Sequence, residues 1–141
     1  MGTWGPGNFE NDTAAEHLIE LCKPLVQQIT QAAASPELMQ PDEPDSDIML
    51  ANIEILSALA ESIGRHETGW VGDTVFPFPF PAVEEIEQWK LEYLRVWDGY
   101  IDGLVPSDDY KRRRRDVIVA TFERLQRAAI AGPRTKTGEK S

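Results

Sequence analysis

Four stretches of this 141-residue chain repeat apolar residues at spacings of three and four, and no pair of stretches alternates apolar with polar. That period belongs to amphipathic helices and argues against a sheet. The first stripe is Leu18, Leu21, Cys22, Leu25, Val26, Ile29 and Ala33. The second is Ile48, Ala51, Ile55, Leu59 and Ile63, with Gly64 as a stop. The third, over 82–103, runs Val83, Ile86, Trp89, Lys90, Tyr93, Leu94, Trp97 and Ile101. The fourth is Tyr110, Val117, Ile118, Thr121, Phe122, Leu125 and Ala129, ended by Gly132-Pro133. Four such helices predict a small all-α bundle. It forms one helical domain over 1–132, with a disordered tail at 133–141.

Capping residues set the expected starts. Thr13 and Glu16 match a capping box, and Asn11 or Asp12 are alternative caps. Asp45 or Ser46 caps the second helix. Ser107, Asp108 and Asp109 serve the fourth, where negative charge also suits a helix start. Pro24 lacks an N–H and is expected to kink or split the first helix near 20–23. SPELMQPDEPDSD at 35–47 reads as a loop by composition. VFPFPFP, near residues 75–81, excludes a helix and a central strand, and an extended ribbon is its natural state.

Charge is divided unevenly along the chain. Residues 1–109 carry 21 acids and 4 bases, a net of −17, whereas 110–141 carry 3 acids and 10 bases, a net of +7. Two readings follow. The basic segment lies against the acidic body, or acidic surface stays free to steer a basic partner. Nucleic acid is not expected as a partner, because its phosphates would meet a net repulsive field. KRRRR at 111–115 does not overturn this, since consecutive helical residues, at about 100° each, spread around the axis. Arg114 falls along the apolar stripe and is expected to reach inward to an acidic partner, Asp98 or Asp102. Arg114→Ala is then expected to lower the melting temperature.

No apolar run approaches the roughly 20 residues of a membrane span. The N-terminus lacks signal-peptide character. Pro6 stands where a myristoylation motif has Ser or Thr. The one cysteine, Cys22, lies on an apolar stripe and suits a reducing cytoplasm as an inert core residue. No phosphate loop, dinucleotide fingerprint or nucleophile elbow occurs. With one cysteine and two histidines, no zinc cluster and no Glu-x-x-His pair is present, so no cofactor or metal is expected. Glu16, His17 and Glu20 are the remaining weak set for a metal or acid–base site.

Candidate binding residues are of two kinds. Trp70, Phe76, Phe78 and Phe80 form either a lid on the bundle or aromatic anchors for a partner protein. Asp42, Glu43, Asp45 and Asp47 form either a solvated linker or a steering patch. The opening MGTWGPGNFENDTA adds two structural aromatics: Trp4 and Phe9 are expected to dock on the bundle, beside the cap at Asn11 and Asp12.

That opening resembles the start of a family of small bacterial proteins called domain of unknown function 4259. The match falls on Met1, Gly2, Trp4, Gly5, Gly7, Phe9, Asn11, Asp12 and Ala14. The resemblance implies acidic helices and carries no established activity or catalytic residue. FPFPFP and KRRRR are not part of its pattern. The expected function is a cytoplasmic, non-catalytic inhibitor or immunity protein that neutralises a basic toxin domain, such as a nuclease or deaminase. The alternatives are a self-associating scaffold and, behind it, a small metal-binding or enzymatic bundle.

Overall fold

The computed structural model describes residues 6–8, 11–64 and 81–140. Four helices run in order: α1 Asp12–Ala33, α2 Pro44–Gly64, α3 Val83–Tyr100 and α4 Asp108–Lys140. Short 3-10 turns occupy Pro36–Met39 and Ile101–Leu104. There is no strand among the described residues, and the chain is a small all-α bundle. α2 packs against both α1 and α4, and α3 packs against α4.

α1 is capped by Asn11, whose side-chain oxygen accepts from the Ala14 N–H at 2.8 Å. Thr13 therefore lies inside the first turn and the capping box is not used. The expected break at Pro24 is also absent, and α1 is continuous through it. Pro24 and Glu20 are both exposed, so the carbonyl that loses its partner meets water and the missing bond is tolerated. The backbone of α4 likewise passes Gly132-Pro133 and is helical to Lys140.

Two expectations about α2 are corrected. The helix starts at Pro44, a residue suited to a first turn because its N–H would be unsatisfied there anyway. Ser46 is thus not a cap but a buried residue within that turn. The buried face is Met49, Asn52, Ile53, Leu56 and Ala60, flanked by Leu50 and Ser57. This is the expected stripe moved on by one residue, a rotation of about 100°. Ile48 and Ile55, expected inside, are 46% and 45% exposed. The reason lies in three polar side chains on the true inner face, each satisfied. Ser46 meets Tyr93, Asn52 donates to Gln28 Oε1 at 2.8 Å, and Ser57 donates to the Ile53 carbonyl at 3.0 Å. Buried polar groups with partners cost little, so they do not mark an outer face.

The other helices bury most of their expected stripes. α1 supplies Leu18, Cys22 and Ile29, α3 supplies Ile86, Trp89, Tyr93 and Trp97, and α4 supplies Ile118, Phe122, Leu125 and Ala129. Leu21, Tyr110 and Val117 face outward instead. The 35–47 segment is not a plain loop. Its 3-10 turn drives Met39 fully into the core.

Candidate functional site

The site begins where the first 3-10 turn hands over to α2. Gln40 accepts from the Glu43 N–H at 3.0 Å, and Glu43 accepts from the Ser46 N–H at 3.1 Å. These turns hold four acids in a short arc. Asp42, Asp45 and Asp47 are exposed and Glu43 is half-buried. None of the four makes an ion pair with a described residue. Asp45 and Asp47 stand in the first turn of α2, where they also complement its exposed N–H groups.

The same arc borders a cavity of about 360 Å³ between the start of α2, the end of α3 and the first turns of α4. Asp47, Trp97, Leu104, Tyr110 and Arg114 are among its lining residues. Tyr93 forms part of the wall, with its hydroxyl 2.6 Å from Ser46 Oγ. Burial pushes the Tyr93 phenol up, so it stays protonated across the physiological range. Ser107 caps α4 by accepting from the Tyr110 N–H at 3.1 Å, which fixes Tyr110 at the cavity mouth. Next to it, Val105 adopts a left-handed backbone with φ 53° and is 85% exposed. Non-glycine residues rarely accept that conformation.

The basic run is mostly matched internally. Lys111 Nζ reaches Asp102 at 2.7 Å, and Arg112 and Arg113 share Asp109 at 2.7 and 3.2 Å. Arg115 donates two hydrogen bonds to Asp98, at 3.0 and 2.8 Å. Those bonds hold the Asp98 carboxyl below its ordinary range, and Asp102 likewise raises Lys111. Farther along, Arg124 grips Glu61 of α2 with two bonds of 2.8 Å, and Gln126 donates to Glu87 of α3 at 2.7 Å. The partner expected for Arg114 is therefore corrected. Asp98 and Asp102 belong to Arg115 and Lys111. Arg114 is half-buried on the cavity and makes no hydrogen bond or ion pair with a described residue. Arg114 and Arg115 are neighbours on α4, about 100° apart around its axis, and that one step was enough to change which of them meets Asp98 of α3.

A model for the family Domain of unknown function (DUF4259) matches residues 2–129. The chain belongs to that family. The match takes in the acidic arc, the cavity and the basic run of this DUF4259 chain. The family description names no activity, so none of these features inherits a role. No curated protein and no solved structure matches the chain.

The remaining candidate residues divide as follows. Asn11 is the α1 cap and Asp12 opens the helix. Trp4, Phe9, Trp70, Phe76, Phe78 and Phe80 lie outside the described residues. Glu16, His17 and Glu20 are all exposed on α1. Among the described residues no three His, Cys, Asp or Glu side chains are grouped to hold a metal ion. No described helix is long and apolar enough to cross a membrane. The cavity itself was not legible in the sequence. Asp47 and Arg114 stand on different helices, and no local pattern announces that they share a wall.

Proposed function

We propose that this protein is a non-catalytic binding protein of the cytoplasm, an inhibitor or immunity protein that neutralises a basic toxin domain. One observation carries the reading. Four of the five residues of KRRRR engage acids of this chain, while Asp42, Glu43, Asp45 and Asp47 form no ion pair with a described residue. The fold thus consumes positive charge internally and leaves an acidic arc turned to solvent. Such an arc raises the encounter rate with a basic surface and repels phosphate. The exposed side chains of Leu104 and Tyr110 line the same cavity as Asp47 and offer apolar contact area beside the charge.

Co-expression with the product of each adjacent gene tests the reading. A growth-inhibiting neighbour should be silenced and should co-purify with this protein, with association slowed by added salt. If no neighbour is bound and none is silenced, the reading fails. Self-association is the second reading, favoured by Tyr100, Leu104 and Val105, which are exposed together at the turn between α3 and α4. A monomeric mass by light scattering removes it.

A further inference from the structure

Asp47 on α2 and Arg114 on α4 line one cavity and carry opposite charges, yet they do not form an ion pair. Neither makes a hydrogen bond or ion pair with another described residue, and both act electrostatically on Tyr93 in the cavity wall. A half-buried guanidinium without a counter-ion beside it is unfavourable, so a ligand that supplies a carboxylate there would be favoured. We infer that this cavity is a binding site for a small zwitterion, an α-amino acid with an apolar or aromatic side chain.

The chemistry matches at each end. The planar guanidinium of Arg114 presents paired N–H donors suited to a carboxylate. Asp47, in the same lining, is the acceptor for an ammonium group. Leu104 and Tyr110, both about half exposed, offer apolar and aromatic surface in the same lining. The Ser46 and Tyr93 hydroxyls bond each other, which leaves the two charges, beside the hydroxyl-bearing Ser107 and Tyr110, as the polar recognition elements. A simple anion would meet Asp47 and the −10 charge of the chain, and a simple cation would meet Arg114. A zwitterion avoids both conflicts. The volume of about 360 Å³ is near the lower end for ligand cavities, which suits a single amino acid better than a nucleotide or a peptide strand.

The test is titration of the full chain with L-phenylalanine, 3-phenylpropionate and phenethylamine, followed by calorimetry and by amide chemical shifts. L-phenylalanine should bind saturably and shift the amides of Asp47, Tyr110 and Arg114. The two analogues, each lacking one charge, should bind about tenfold or more weakly, the loss expected for one charge-assisted hydrogen bond. Arg114→Gln and Asp47→Asn should each weaken L-phenylalanine binding by a similar factor. Should Arg114→Gln fail to fold, Asp47→Asn at its exposed position decides the matter. The inference is overturned if L-phenylalanine does not bind saturably. It is equally overturned if 3-phenylpropionate binds as tightly as L-phenylalanine, if shifts map away from the cavity, or if Asp47→Asn leaves the affinity intact.

Discussion

Ser46 Oγ and Tyr93 Oη lie 2.6 Å apart in the interior and tie the first turn of α2 to α3. Both residues are essentially inaccessible to water, and the Tyr93 ring also stacks at a tilt on Phe122, with centroids 5.7 Å apart. Tyr93→Phe strands the Ser46 hydroxyl, and Ser46→Ala strands that of Tyr93. Each change should cost about 1–3 kcal/mol in urea unfolding. The double variant should cost less than the two together, because neither hydroxyl is then left behind.

The rotation of α2 gives a direct contrast. Ile53 is fully buried, whereas Ile55 is 45% exposed. Ile53→Ala should destabilise by about 2–5 kcal/mol. Ile55→Ala should stay within about 0.5 kcal/mol of the parent. Equal losses at both positions would return Ile55 to the core.

This helix also marks the limit of what periodicity reveals. α3 and α4 alternate large apolar and charged residues sharply, so Trp89, Tyr93, Trp97, Ile118, Phe122 and Leu125 were identifiable as core from spacing alone. The segment IMLANIEILSALA is apolar on nearly every side. Its orientation is set by Ser46, Asn52 and Ser57 finding partners, one of which is 47 residues away. Long-range satisfaction of a hydroxyl leaves no local trace. The acidic arc was legible by composition, but its meeting with Trp97, Tyr110 and Arg114 depends on tertiary packing.

The Asp98–Arg115 pair should make stability depend on acid. The Asp98 carboxyl is lowered in the fold, chiefly by the Arg115 hydrogen bonds. Folding therefore gains from this pair above the ordinary carboxylate range, and loses the gain as pH falls from there through the folded value. Asp98→Asn should flatten that part of the urea-midpoint profile. At neutral pH the loss should stay below about 1 kcal/mol, because both side chains are nearly half exposed.

Arg114 should behave differently from its neighbours. Having no ion pair with a described residue, it can be replaced by Gln with a change within about 0.5 kcal/mol in thermal unfolding. A clear fall in melting temperature would restore the inward salt bridge expected from the sequence.

Charge reversal tests the acidic arc. Asp42→Lys, Asp45→Lys and Asp47→Lys, combined, should slow association with a basic partner and reduce the dependence of that rate on salt. Because Asp45 and Asp47 also complement the start of α2, a small loss of stability is expected alongside, about 0.3–1 kcal/mol for each of these two charges.

Cys22 is fully enclosed, and burial pushes its thiol up to about 11. At pH 7 only about one thiol in ten thousand would be ionised even if a reagent could reach it. Alkylation must therefore wait for the bundle to open. The single cysteine gives this protein a built-in clock: under slow-opening conditions its labelling rate counts opening events, and under fast-opening conditions it reports how rarely the open form is visited. Anything that binds and stabilises the closed bundle should slow that clock, so a partner or a small ligand can be detected on the unlabelled native chain without knowing in advance where it docks.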